Sequence, residues 1–321
     1  MWLAACGQEG PAVRVNIPQG ASMRVAIDSL ANKGVVRWKT GFRVYASVKK
    51  SDRGIKAGTY MLHRNSSWNT VLEALRGGKG IVKVVTIPEG FSLLQIEPLL
   101  AARLNQPLDS VRAATRDTAH LRRLDVPTPT LEGYLFPDTY IFADGTNARA
   151  AVTTMVKRFE QVWKPEWTAR LDTLRLSRND VMALAAIVEK EARLPAERPV
   201  IAAVYMNRLR HGMLLQADPT VQYALGKHVP RVFYKDLEVA SPYNTYRNKG
   251  LPPGPIASPG RPSIEAALYP ANVPYEYFVA FPDGHHEFRA NLAGHEKAKA
   301  EARKAWDSVD VSRRADSSRS K

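Results

Sequence analysis

The stretch "ALAAIVEKEARLPAERPVIAAVYMNRL" places two carboxyls, Glu189 and Glu191, at the end of an apolar run from Val181 to Val188. At about 100° per residue, Glu191 joins the aliphatic face of Val181, Leu184, Ile187 and Val188, and Glu189 falls on the flank near Met182 and Ala185. A carboxyl aimed into packed apolar surroundings resists ionisation. A carboxylic acid still protonated near neutral pH is what a glycosidic oxygen requires of a general acid. The competing reading is structural, with Glu191 bridged to Arg193, Arg198 or Arg208. The wheel alone leaves both open.

Other residue groups are candidates for binding. "LLQADPT" sets Gln216 and Asp218 beside Pro219, where Asp218 also reads as a cap for a short helix. "SPYNTYRNKGLPPGPIASPGRPS" combines Tyr243, Asn244 and Thr245 with closely spaced prolines. Aromatic faces with amide donors and acceptors suit a sugar polymer, and a proline-braced loop is the plainer alternative. Asp283, His285 and His286 are metal-ligand types, but they sit on a glycine-containing turn without helical ligand spacing.

These residues need a frame. The chain has 321 residues, 45% hydrophobic and 24% charged, which fits a soluble globular protein of about two domains. The first hundred residues repeat a unit. "VRVNIPQGASMRVAIDSLANKGV" returns as "VKVVTIPEGFSLLQIEPLLAARL". Each unit reads as an alternating strand, a Pro/Gly turn and a helix capped by Ser22 or Ser92. Val13, Val15 and Ile17 share a face of the first strand, and Val82, Val84 and Thr86 are read as sharing a face of the second. A helix over 42–49, a strand over 60–63 and a helix over 68–75 lie between the units. Beyond Leu100, helices are expected over 108–117, 147–174, 179–193, 198–210 and 291–306, with short strands over 277–281 and 287–289. The serine- and arginine-rich tail, 307–321, reads as disordered. The fold class is therefore α+β: a small α+β module over 13–100 and a mostly helical α+β domain over 101–306, after a leader or frayed segment over 1–12.

The net charge of +15 favours an anionic partner: nucleic acid, an anionic membrane face or an acidic wall polymer. A nucleic-acid binder would interleave basic and aromatic residues on one face. Here the basic residues are scattered and the aromatic-rich segments are proline loops, which argues against nucleic acid. The single cysteine, Cys6, allows no internal disulfide and no cysteine metal cluster. Leu3-Ala4-Ala5-Cys6-Gly7 resembles a bacterial lipoprotein cleavage box, in which Cys6 would carry lipid; the alternative is a frayed end with an incidental cysteine. No stretch approaches the ~18–20 apolar residues of a membrane helix.

"LEGYLFPDTY", "AIVEKEA", "VYMNRLRHGMLLQADPT", "SPYNTYRNKGLPPGPIASPG" and "PYEYFVAFPDGHHEFRANLAGH" resemble, in order, the motifs of the MltG (YceG-like) endolytic murein transglycosylases. The likeness is dense over 131–295 and looser over the N-terminal module, which resembles that family's LysM-like module. The resemblance implies cleavage of peptidoglycan glycan strands at the MurNAc–GlcNAc bond, leaving 1,6-anhydro-MurNAc ends and terminating nascent strands. It implies Glu191 as the catalytic acid and Asn207, Gln216, Asp218, Tyr243, Asn244 and Thr245 as lining of the glycan cleft. His286, Phe288, Asn291 and His295 fall in the last motif; Glu132 and Asp138 fall in the first, without an assigned role. A single carboxyl suffices for this chemistry, in contrast to two-carboxylate glycosidases, and neither metal nor cofactor is called for. Implied too are a place in the cell envelope at the outer face of the cytoplasmic membrane, membrane association through the N-terminus, and peptidoglycan synthases as partners. Related lytic transglycosylases often carry a hydroxyl residue after the acid. Here Ala192 stands there, which keeps a non-catalytic peptidoglycan-binding protein in view.

Overall fold

The computed structural model describes residues 10–50, 54–226 and 232–319; Cys6 and its Leu3–Gly7 box lie outside them. The chain forms an α+β fold of two units, a smaller one with an N-terminal sheet and a larger, mostly helical one. The first comprises the described residues of Met1–Val85 together with Arg103–Asn105 and Thr139–Asn147.

In the first unit β1 (Ala12–Ile17) is followed by α1 (Met23–Asn32), α2 (Lys39–Val48), β2 (Gly58–His63), α3 (Trp68–Gly77) and β3 (Ile81–Thr86). β1 and β2 pair antiparallel from Ala12↔His63 to Ile17↔Gly58, and β3 joins the other edge of β2. Alternation puts Val15 and Ile17 into the core, as expected of a strand with one wet face. They pack with Leu30, Phe42, Tyr60 and Leu75. Ser22 caps α1 by accepting from Val25 N, and Ser67 caps α3 by accepting from Thr70 N at 3.2 Å. Trp68 gathers Phe42 at 5.9 Å and Tyr45 at 5.5 Å.

One expectation here needs correction, and one strand was not foreseen. On β3 the buried positions are Val85 and, just beyond, Ile87; Val82 and Val84 are half-buried and Thr86 is exposed. Consecutive valines blur the alternation, whereas aligning the repeats on Ile-Pro sets Val85 and Ile87 against Val15 and Ile17. The fourth strand of this sheet, β4 (Thr139–Ala143), comes from much later in the chain and lies beside β3. Its Tyr140 and Phe142 alternate inward.

The larger unit begins with α4 (Leu93–Leu104), α5 (Leu108–Ala114) and α6 (Thr118–Arg123). Gln95 Oε1 accepts from Ser92 N at 3.2 Å at the start of α4. After β4 come α7 (Ala148–Val162) and α8 (Pro165–Leu174), where one helix over 147–174 was expected. Pro165 has no N–H to continue the helix of the preceding turn, so the chain breaks and restarts with proline in the first turn.

α9 (Arg178–Glu191) is the centre of this unit. It packs against α8, α10 (Arg198–Arg210), α11 (Asp218–Ala224) and α12 (Arg261–Leu268). Ser177 starts it with a capping box: its Oγ accepts from Asp180 N at 3.1 Å, and Asp180 Oδ2 accepts from Ser177 N at 2.9 Å. Every residue from Val181 to Val188 is inaccessible to solvent. The helix therefore has no wet flank along this run, unlike the amphipathic wheel reading.

The strands β5 (Tyr277–Ala280) and β6 (His286–Arg289) pair antiparallel, and α13 (Leu292–Arg319) packs on both. Disorder was expected over 307–321; the helical backbone of α13 runs to Arg319. Polar composition argues against packing, but no proline or glycine interrupts that stretch.

Candidate active site

α9 delivers Glu191 at its last turn, and α10 delivers Tyr205. The Tyr205 hydroxyl donates to Glu191 Oε1 at 3.0 Å. Glu191 keeps some access to solvent as a residue, but its carboxyl sits among protein atoms. Burial pushes its pKa up to about 7, the Tyr205 hydrogen bond opposes this, and the negative charge of Asp218 adds to the rise. The Arg208 charge opposes it weakly. Arg208 is not an ion-pair partner. Its guanidinium donates to the carbonyls of Glu276 at 2.6 Å and Leu215 at 2.8 Å, and it stacks over Tyr277. Arg198 turns elsewhere too, so neither of these two expected structural bridges to Glu191 forms.

Arg198 instead lies 3.6 Å from Glu189. Glu189 accepts from Gly260 N at 3.0 Å and from the Ser263 hydroxyl at 2.7 Å. It is not a solvated flank residue: its side chain is only 8% exposed. Glu189 thus fastens α9 to the start of α12, whereas Glu191 faces Tyr205.

Asp218 does not cap α11. The helix starts one residue earlier than read, Asp218 lies in its first turn, and Ala217 precedes it. The freed carboxylate accepts from the Tyr246 hydroxyl at 2.6 Å. Gln216 is exposed and sits in the left-handed backbone region at φ 54°, a conformation of elevated energy for a non-glycine residue. Tyr243 is half-buried, with its ring 4.8 Å from that of Tyr223.

The remaining three expected cleft residues are braces. Asn207 donates from its amide to the carbonyls of Val273 and Tyr275, each at 2.9 Å. Asn244 is buried and donates to the carbonyls of Leu237 and Val239. Thr245 is buried; its hydroxyl accepts from Ala217 N at 3.0 Å and pairs with Thr220 Oγ1 at 2.9 Å. The Thr245 bonds, with Gln216 N donating to the Thr245 carbonyl at 3.1 Å, hold 216–220 and 243–246 as one assembly, presenting Gln216, Asp218, Tyr243 and Tyr246.

In the last motif, His286 is buried and bonded twice to Glu197, through N at 2.9 Å and Nδ1 at 2.7 Å. His285 is bonded to Asp283 instead. The three therefore do not converge on one point. His295 stacks on Tyr277 at 5.1 Å, Phe288 lies 5.9 Å from Tyr275, and Asn291 Oδ1 accepts from Gly294 N.

Sequence reasoning missed Tyr205 and assigned no role to Glu132. The latter is buried, and its two oxygens accept from Leu93 N at 3.1 and 3.0 Å. Burial pushes its pKa up to about 8, against hydrogen bonds from Leu93, Gly133 and Tyr223. Asp138 pairs with Arg158 at 2.6 Å. Tyr205 lies in the apolar run of α10 and nothing local marks it; only the fold brings it to Glu191.

The model of the YceG-like family matches residues 15–301. The chain belongs to the YceG-like family. A Bacillus subtilis (strain 168) relative described as an endolytic murein transglycosylase is 36% identical over 303 residues, covering 89% of this chain and 84% of the relative. A relative of the same description from Streptococcus pneumoniae (strain D39) is 29% identical over 321 residues; the match takes in 90% of this chain but only 58% of that longer protein. Among solved structures, a yceG-like protein from Listeria monocytogenes superposes with a TM-score of 0.65 at 34% identity, covering 89% of this chain and 98% of that one.

Proposed function

We propose that this chain is an endolytic murein transglycosylase. The observation that carries the reading is Glu191: a desolvated carboxyl with pKa pushed up to about 7, held by a tyrosine hydroxyl beside a second carboxylate, in a chain of the YceG-like family. The substrate is the glycan strand of peptidoglycan and the bond is that between MurNAc and GlcNAc.

Tyr205 occupies Oε1, so Oε2 is the oxygen left to carry the transferable proton. Glu191 passes it to the glycosidic oxygen as the MurNAc C1–O bond breaks. The carboxylate so formed takes the proton of the MurNAc 6-hydroxyl while O6 bonds to C1. The products are a free GlcNAc 4-hydroxyl and a 1,6-anhydro-MurNAc end; no water is consumed and Glu191 ends protonated. The nucleophile belongs to the ring it attacks, so proximity supplies much of the rate. The hydroxyl missing at Ala192 is supplied in space by Tyr205, which weakens the case for a non-catalytic cleft. Gln216, Asp218 and Tyr243 are the accessible residues for the glycan; Thr245 holds their two segments together, Asn244 braces its loop on 237–239, and Asn207 ties α10 to 273–275.

The order β1–α1–α2–β2, with its two strands paired antiparallel, supports a LysM-like reading of the first unit and a role in glycan affinity. Terminating nascent strands places the chain in the cell envelope at the outer face of the cytoplasmic membrane, beside peptidoglycan synthases. Among the described residues no helix is long and apolar enough to cross a membrane. Association with it is assigned to the N-terminal segment that includes Cys6. Digestion of purified sacculi, followed by mass spectrometry of the muropeptides, tests the reading: 1,6-anhydro-MurNAc products support it, and intact strands or reducing MurNAc ends refute it.

A further inference from the structure

The larger unit contains a cavity of about 820 Å³ walled by α4, α5, α9 and α11. It lies within the size range of pockets that enclose small molecules. Neither Glu191 nor Asp218 lines it, yet their chain neighbours Lys190 and Pro219 do. The two helices that carry the candidate reaction centre therefore also carry part of this wall.

The wall is cationic. Arg112, Arg116 and Lys190 share it with one ion-paired carboxylate, Glu97, which lies 2.9 Å from Arg116 and 3.6 Å from Arg112; off the wall, Asp109 lies 3.4 Å from Arg112. The other carboxyl on the wall, Glu132, has its pKa pushed up to about 8 by burial and is mainly neutral at pH 7. Three cations against the carboxylates of Glu97 and Asp109 leave a net positive charge over a concave surface, where low-dielectric walls strengthen its field. Gln95 and Gln222 add amide donors and acceptors, and Leu94 supplies an exposed apolar edge.

A murein strand offers a ligand of matching chemistry. The MurNAc ring whose C1 reacts also bears, through its lactyl group, a short peptide with several carboxylates. We infer that this cavity is a binding site for the peptide branch of the substrate, with the branch carboxylates toward Arg112, Arg116 and Lys190. The inference rests on the murein transglycosylase reading and deepens it: the enzyme would select strands that still carry their peptides.

Two variants probe the cavity outside the catalytic machinery. Leu94→Trp fills its edge at a residue 60% exposed in the fold, and Arg112→Gln removes one cation while Glu97 keeps Arg116. Each is assayed on peptide-bearing strands and on strands stripped by an amidase. On peptide-bearing strands kcat/KM should fall about tenfold, chiefly through KM, as for loss of one charge-assisted contact. On stripped strands it should change little. Equal losses on both substrates, or no loss on either, would overturn the inference. Binding of a free N-acetylmuramoyl tripeptide, followed by saturation-transfer NMR, separates this from the catalytic reading. Wild-type signal lost in Leu94→Trp supports the cavity even if no strand is cleaved; no wild-type signal, or an unchanged signal in the variant, counts against it.

Discussion

The Tyr205 hydroxyl donates to Glu191 Oε1 at 3.0 Å, joining the last turn of α9 to the middle of α10. The bond favours the ionised form, while burial and the Asp218 charge favour the neutral one. These opposed effects make the acid tunable in two directions.

The pH profile should report both. With Glu191 as the acid, kcat/KM falls as pH rises through about 7. Asp218→Asn removes the like charge, so the alkaline limb moves to lower pH. Tyr205→Phe removes the bond that stabilises the carboxylate, so the limb moves to higher pH. Rate profiles of the three proteins on one glycan substrate check this; shifts in the same direction would contradict it.

Glu132 makes a stability prediction. Its ordinary pKa of 4.5 is raised to about 8 in the fold. Between those values the folded chain keeps a proton that the unfolded chain has lost, so stability falls as pH rises. The contribution is full below pH 4.5 and lost as pH climbs through about 8. Glu191 adds the same sign between 4.5 and about 7. Glu132→Gln should flatten the fall, most visibly between pH 7 and 8, in urea titrations across that range.

Gly133 tests how two motifs interlock. Its φ of 81° is strained for other residues, and an added Cβ would lie 2.3 Å from Pro255 Cγ. Gly133→Ala should cost at least about 1–3 kcal/mol, from backbone strain before any clash is counted. Thermal unfolding would reveal it; an unchanged melting temperature would refute the close approach.

What could be read from the sequence follows from the range of the interactions involved. The desolvation of the Glu191 carboxyl was legible because the end of a long apolar run is a local signal. The capping of α1 by Ser22 was legible for the same reason. The capping reading of Asp218 failed because a cap and a first-turn residue differ by one position, and the Tyr246 hydroxyl bonded to its carboxylate lies 28 residues away. Glu189 pairs with a basic neighbour, Arg198, as a flank residue can, but it is not solvated, because a wheel assumes one wet side while α9 is enclosed by four helices. Asn207, Asn244 and Thr245 were picked by motif position, but only the fold shows their polar groups bonded inward. β4 escaped because it is short and pairs with a strand more than fifty residues earlier.

The most direct test of the account compares Glu191→Gln with Glu189→Gln at matched folded concentration, reading anhydro-product formation from sacculi. Glu191→Gln keeps the shape and the neutral charge but cannot give up a proton. Its product formation should drop by roughly 10²–10⁴, with the melting temperature nearly unchanged. Glu189→Gln weakens a buried tie to Arg198, Gly260 and Ser263. It should lose about 1–3 kcal/mol of stability and keep most of its activity while folded. An active Glu191→Gln beside a folded but inactive Glu189→Gln would contradict the assignment of the acid.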